Sequence, residues 1–300
     1  MTATAYHGTW PALITPMNSQ GKPAMSTIEK LVDLFAAQKL GGLYILGSTA
    51  QWPLLSLDER REIAECVVKT AKGRLPVIVH VGAVTTEDAE ELARHAKSIG
   101  ADGVSAVAPI YYSFGADVVF EHYRRIGAAA ALPLYVYHLS SVNQLKIAPN
   151  DYARRLLSLP NIAGMKITDG DMYQFGLITA HTQGKLTLFS GADEVMCHAA
   201  VSGAVAAIGS FYNIFGVECQ AARAKFVAGD VASGLKFMQG FQQMISAVLS
   251  SALIWTFFRA AMRRRFDVDV GQTRHPVGMC DKPWDDSEVD RLIALVTDAA

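Results

Sequence analysis

Lys166 lies in the run Gly164-Met165-Lys166-Ile167-Thr168-Asp169, an otherwise apolar stretch with the composition of a buried β-strand. A lysine turned into a packed interior loses hydration, which disfavours its ammonium form and leaves an amine able to attack a carbonyl. The chemistry that follows is imine formation. The same residue could instead snorkel to solvent from a strand end, or pair with Asp169 or Asp171, so its surroundings decide. Other polar residues of chemical use recur where strands are expected to end: Ser48 and Thr49, Tyr111 and Tyr112, Tyr137 and His138, Asp193 and Glu194, and Ser210. Strand periodicity puts Lys166 and Thr168 on one face, because side chains repeat at every second residue.

The elements that must carry these residues alternate. Short apolar or β-branched runs fall at 12–15, 42–46, 77–80, 103–108, 134–137, 164–167, 186–190 and 206–209, and helical spacing marks 26–39, 57–71, 86–99 and 116–130 between them. Strand-helix alternation of this kind predicts an α/β fold, a closed (β/α)8 TIM barrel whose reactive groups sit at the carboxyl ends of the strands. A doubly wound sheet would show a glycine-rich first turn, which is missing here. Beyond the eighth run the pattern is helical only, over 217–265 and 287–297, so residues 1–216 are expected to form the catalytic barrel and 217–300 a helical extension packed on it.

Composition narrows the function classes. The 300 residues are 51% hydrophobic and 18% charged, with a net charge of −1, which offers nucleic acid or anionic lipid no broad attraction. The one basic cluster, Arg263-Arg264-Arg265, reads as the solvated end of a helix rather than a phosphate site. Cys66, Cys197, Cys219 and Cys280 form no CxxC pair and no secretory leader is apparent, so a reducing cytoplasm is the expected compartment. The uncharged stretch 237–258 is interrupted by glutamines, serines and a glycine and reads as a buried helix rather than a membrane span. The histidines lack metal-ligand spacing, Cys197-His198 reads as a buried structural pair, and no phosphate loop or dinucleotide fingerprint is present.

Five motifs together carry a resemblance: His80-Val81-Gly82-Ala83, Tyr135-Val136-Tyr137-His138, Gly164-Met165-Lys166, Ser190-Gly191-Ala192-Asp193-Glu194 and Ile208-Gly209-Ser210-Phe211-Tyr212-Asn213. With them the chain resembles the class I pyruvate-dependent aldolases, the family of N-acetylneuraminate lyase and dihydrodipicolinate synthase, and it is closer to the lyase branch. The likeness runs from Gly8 to about Lys282. It implies Lys166 as the Schiff-base lysine, Tyr137 as the proton relay with Tyr111 as a second catalytic tyrosine, and Ser48 and Thr49 as the hydroxyl pair that binds the substrate carboxylate. Thr168, Gly191, Asp193, Glu194 and Ser210 are implied as further substrate-binding residues, the last three gripping a polyhydroxy tail.

The expected activity is cleavage of a 2-oxo-3-deoxy sugar acid, N-acetylneuraminate first, to pyruvate and an aldehyde sugar. No cofactor is expected, the covalent imine on Lys166 taking that role, and the family resemblance implies a homotetramer. Alternatives are an aldolase or dehydratase of another 2-oxo-3-deoxy acid, a synthase-like condensation, and a non-enzymatic sugar-acid sensor. Against the synthase reading, Val142 stands where synthases carry an arginine for a second carboxylate. Ser140 replaces a common proline, and Ala50-Gln51-Trp52 replaces a turn that continues as Gly-Glu in the family. Ala50 is expected to alter the loop backbone and Trp52 to narrow the mouth of the site, while Ser48 and Thr49 are also candidates to cap a helix that begins near Gln51.

Overall fold

The computed structural model of the chain describes residues 6–142, 145 and 147–300. Eight parallel strands, β1 (Thr9–Pro11), β2 (Leu43–Ile45), β3 (Val77–His80), β4 (Gly103–Val107), β5 (Leu134–Leu139), β6 (Ile162–Thr168), β7 (Thr187–Ser190) and β8 (Ala206–Gly209), pair in sequence order. β1 returns to β8, with Trp10 opposite Ile208. It meets β2 through a parallel bridge between Ala12 and Tyr44, so the sheet closes into a (β/α)8 TIM barrel. The outer helices are α1 (Met25–Ala37), α2 (Leu57–Ala71), α3 (Thr86–Ser98), α4 (Ala116–Ala130), α5 (Pro149–Leu157), α6 (Met172–Thr182), α7 (Met196–Val201) and α8 (Tyr212–Val227).

Alternation along the strands separates two cores. Leu43, Ile45, Val77, Val79, Val104, Ala106, Leu134, Val136, Met165 and Ile167 face outwards into the helix layer. Tyr44, Ile78, Val107, Tyr135, Tyr137, Phe189, Ala206 and Ile208 fill the interior. At the amino-terminal end Tyr6, Trp10, Tyr135 and Phe189 stack edge-on or tilted, with centroids 5.3–5.9 Å apart, and plug the barrel. Gly164 is required by close approach, since a Cβ there would lie 2.0 Å from the Thr187 carbonyl oxygen.

The first strand lies earlier than the 12–15 run suggests. Thr9, Trp10 and Pro11 make the ladder with β8, whereas the backbone N–H groups of Ala12, Leu13 and Ile14 donate in turn to Gly209 O, Tyr44 O and the Asn213 side chain. An apolar run there serves the barrel rim rather than a regular strand.

The tail forms α9 (Val231–Ser250), α10 (Ile254–Phe266) and α11 (Asp286–Thr297). The expected single buried helix over 237–258 is broken between α9 and α10, where Ala252 takes a left-handed conformation (φ 58°). The 216/217 position falls inside α8, just past the non-helical Phe215 (φ −118°, ψ 25°). At the end of α10 the three arginines are engaged rather than merely solvated: Arg263 pairs with Asp269, Arg264 with Asp290, and Arg265 with Glu218. Among the described residues no helix is long and apolar enough to cross a membrane, and no group of three or more His, Cys, Asp or Glu is placed to hold a metal. The four cysteines are free.

Candidate active site

Register builds the centre of the site. β5 and β6 pair Tyr137 with Lys166 and Leu139 with Thr168, and β6 and β7 pair Lys166 with Phe189. Lys166 is 5% exposed, and its Nζ lies 4.4 Å from the centroid of the Tyr137 ring and 4.5 Å from that of Tyr44. The snorkelling alternative and the ion pair with Asp169 or Asp171 are not what the fold selects. Beside it the Thr168 hydroxyl donates to the Tyr137 hydroxyl at 3.5 Å. Gly191 leaves room for both residues of β6, since a Cβ on it would come within 2.1 Å of Thr168 Oγ1 and 3.0 Å of Lys166 Cε.

Tyr44 and His80 carry no weight as chemistry in the sequence, yet they frame the lysine. Tyr44 is fully buried, donates to Ser105 Oγ at 3.0 Å, and is held as a neutral phenol because burial pushes its hydroxyl well above its usual range. His80 Nε2 accepts from the Val107 N–H at 3.2 Å, so Nδ1 carries the proton and donates to the Leu46 carbonyl at 3.0 Å. Burial, and then the nearby Arg60 charge, keep this imidazole neutral. Its ring stands 6.2 Å from both Tyr44 and Tyr137 and ties the ends of β2, β3 and β4 together. Trp52 packs on His80 (5.5 Å) and Arg60 (5.2 Å) and is 6% exposed, so its ring belongs to the barrel interior with Tyr44 and Tyr137. Arg60 in turn donates to the carbonyls of His80 and Gly82.

Ser48 and Thr49 lie within a 3-10 turn, Ser48–Ala50, whose N-cap is Gly47; neither side chain caps a helix, and α2 begins only at Leu57. A carboxylate bound at this pair would meet one short turn and not the amino end of a long helix. Ser48 is exposed, while Thr49 is buried and shares a 2.6 Å hydrogen bond with Ser210, joining the rims of β2 and β8. Ala50 sits inside the turn without a positive φ; the left-handed residue is Gln51 (φ 59°), so alanine costs the backbone little here.

Asp193 is 5% exposed on a second 3-10 turn, Asp193–Val195, and its Oδ2 accepts from the Phe211 N–H at 2.8 Å. Among the described residues its Oδ1 makes no hydrogen bond of regular geometry, the Tyr212 hydroxyl lying near it, and Gly209 has no room for a Cβ beside it. Burial raises this carboxyl to about 7, against the pull of the Phe211 N–H. Glu194 is exposed, and its carbonyl accepts from Gln242 of α9 at 2.7 Å, which seats the helical tail on the rim.

Two expected residues are placed elsewhere. Tyr111 is 92% exposed at a left-handed position (φ 81°), edge-on to Tyr112 at 5.0 Å, outside the buried cluster of its own chain. His138 belongs to the outward face of β5 and meets the Tyr152 hydroxyl at 3.3 Å. Cys197 is buried and His198 half-buried, and Ser140 uses its hydroxyl on the Thr168 carbonyl at 3.3 Å, a bond proline could not make.

The sequence pattern of the dihydrodipicolinate synthetase family matches residues 5–294. The N-acetylneuraminate lyase of Citrobacter koseri is 34% identical over 96% of this chain and 95% of its own. Among solved structures, the N-acetylneuraminate lyase of Proteus mirabilis superposes with a TM-score of 0.87 at 27% identity over 98% of each chain. The sialic acid aldolase of Ruminococcus gnavus, in a catalytic lysine mutant, reaches 0.92 over 99% of this chain and 98% of its own, a likeness of fold at 23% identity. With a plugged base and a lysine buried between two tyrosines, and with the family pattern matched over 5–294, the chain belongs to the dihydrodipicolinate synthetase family.

Proposed function

We propose that the chain is a Schiff-base aldolase that cleaves a 2-oxo-3-deoxy sugar acid, with N-acetylneuraminate as substrate and pyruvate and N-acetylmannosamine as products. The observation that carries this reading is the Lys166 amine, buried at the carboxyl end of β6 against the Tyr137 ring, in a chain 34% identical to a relative named for that reaction.

The chemistry requires only the protein's own groups. The Lys166 amine adds to the C2 ketone, and loss of water leaves an iminium cation. Removal of the C4 hydroxyl proton lets the C4–O pair form the aldehyde C=O as the C3–C4 bond breaks; the pair of that bond becomes the C2=C3 double bond, the C=N π pair moves onto the Lys166 nitrogen, and a neutral enamine and an aldehyde result. Protonation of the enamine at C3 and hydrolysis of the pyruvate imine return the free amine. Tyr137 is assigned the proton transfers, with its hydroxyl oriented by Thr168. Ser48 and Thr49 are assigned the substrate carboxylate, Gly191 the space beside the imine, and Asp193, Glu194 and Ser210 the hydroxyls of the tail, which carboxylates suit as multiple acceptors. Tyr111, exposed in the single chain, keeps a catalytic role in this proposal only if a second chain receives it. A homotetramer in the cytoplasm, a barrel unit 1–216 with the extension 217–300, and the absence of any cofactor complete the proposal.

The experiment is pyruvate release from a panel of 2-oxo-3-deoxy sugar acids. N-acetylneuraminate should give the highest specificity constant; a clear preference for a shorter acid would move the assignment to another aldolase or dehydratase. No turnover with any 2-oxo acid would favour a sensor.

A further inference from the structure

Among the described residues no carboxylate forms an ion pair with the Lys166 nitrogen, and the buried Asp193 carboxyl acts on it only at a distance. Among the described residues the contacts of Nζ are two aromatic faces, Tyr44 at 4.5 Å and Tyr137 at 4.4 Å, with their rings 6.1 Å apart at 77° to each other. Tyr137 is already assigned work with its hydroxyl. Tyr44 has no such work available: its hydroxyl points away to Ser105, and it is fully buried. Gly47 is shaped around the ring, since a Cβ there would stand 2.6 Å from Tyr44 Cε1. What Tyr44 presents to the nitrogen is therefore its π face, in a dry interior where attraction between a cation and a ring is strongest.

We propose that the ring of Tyr44 stabilises the iminium cation on Lys166, acting through its face and not through its hydroxyl. This rests on the Schiff-base reading above and extends it. In imine formation the amine, the C2 ketone and one proton become an iminium ion and water, so a group that favours the cation over the neutral amine keeps the imine populated as protons become scarce. The neutral His80 is part of the same arrangement, because a second cation 6.2 Å from the Tyr44 ring would oppose the iminium. Cleavage then empties the charge into a neutral enamine, and the rings hold the nitrogen in place when the charge returns on protonation at C3.

The test measures borohydride-trapped pyruvate adduct on Lys166 across the alkaline limb of its pH profile. Tyr44→Phe keeps the face and should leave the limb in place. Tyr44→Leu should lose about five- to thirty-fold in imine formation on that limb, so that the limb moves to lower pH. Because leucine leaves a cavity in a buried position, phenylalanine carrying one, two and three fluorines at position 44 provides a second series of nearly constant shape and falling π density. A stepwise shift with fluorination supports the proposal, and a limb that ignores fluorination overturns it. An effect of equal size in Tyr44→Phe and in Ser105→Ala would overturn it too, by assigning the role to the hydroxyl. If wild type forms no adduct with pyruvate, the Schiff-base reading itself falls and takes this one with it.

Discussion

Arg274 lays its guanidinium across the carboxylate of Glu59, with Nη1 2.6 Å from Oε2 and Nη2 2.9 Å from Oε1. The same side chain donates to the carbonyls of Leu54 and Gly21, and the Arg274 backbone N–H donates to Gln51 Oε1 at 3.0 Å. One residue from the segment after α10 thus fixes the turn that carries Ser48 and Thr49 to the start of α2. Glu59 also closes the capping box of α2 with Ser56, so its charge has two uses.

Arg274 holds the Glu59 carboxyl down at about 2, from an ordinary 4.5. A folded-state value below the unfolded one gives stability that is present above the unfolded value and is lost as pH falls through the folded one. Wild type should therefore lose melting temperature more steeply than Arg274→Ala between about 4.5 and 2. At neutral pH Arg274→Ala should cost about 2 to 3 kcal/mol, the scale for losing charge-assisted bonds at a mostly buried pair. It should also raise KM for 2-oxo acids more than it lowers kcat, because the turn loosens while Lys166 does not. Parallel acid melting curves for the two proteins would show that the pair does not stabilise the fold.

Gly191→Ala should leave the barrel folded and remove activity. The added Cβ meets Thr168 Oγ1 and Lys166 Cε, so the lysine or the threonine must move, and displacement of a reacting group by about 1 Å costs on the order of 100-fold. Circular dichroism and borohydride trapping with pyruvate separate the outcomes: a native spectrum with little adduct is expected, and full adduct yield would mean that the rim relaxes around the methyl group.

Lys166 and Tyr137 are legible in the sequence because a polar residue inside a β-branched run draws attention and because two adjacent strands bring such residues together by register alone. Tyr44 is not legible in that way. A tyrosine in an apolar strand reads as core, and only closure of the barrel from β2 across to β6 turns its ring towards the amine. Arg274 is hidden for a related reason: its partners are set by how a long irregular segment docks, which no periodicity encodes. The misplaced first strand shows the limit of hydrophobicity as a guide, since Thr9-Trp10-Pro11 looks less strand-like than the apolar rim that follows it. The Ala50-Gln51-Trp52 departure was visible, but its consequence was not, because the turn puts the positive φ on Gln51 and tucks Trp52 under His80.

Tyr137→Phe removes one oxygen and keeps the ring beside Lys166. Turnover should fall roughly 100-fold or more, the usual contribution of a positioned acid or base, while pyruvate adduct formation at equilibrium is largely retained. Single-turnover cleavage and trapping under the same conditions check this. Near-normal turnover would mean that the proton travels by another route, and the exposed Tyr111 of a second chain would be the next residue to replace.

Asp193 separates a structural from a specificity role. Its carboxyl titrates near 7 in the fold against 3.8 ordinarily, so the folded state holds the proton longer and stability falls as pH rises from about 3.8 to 7. Asp193→Asn removes that titration and still offers an oxygen to the Phe211 N–H. Its melting temperature should rise relative to wild type across that interval, and Asp193→Ala, which leaves the N–H unpaired, should be less stable than either. Activity distinguishes the rest. If Oδ1 receives a hydroxyl of the tail, both variants should lose about 10- to 150-fold in specificity constant for N-acetylneuraminate, corresponding to about 1.5 to 3 kcal/mol for a lost charge-assisted bond. A shorter 2-oxo-3-deoxy acid, which does not reach that oxygen, should lose much less. Equal losses on both substrates would make Asp193 the brace of the β7 and β8 rims and nothing more, and would leave Glu194 and Ser210 to account for tail recognition.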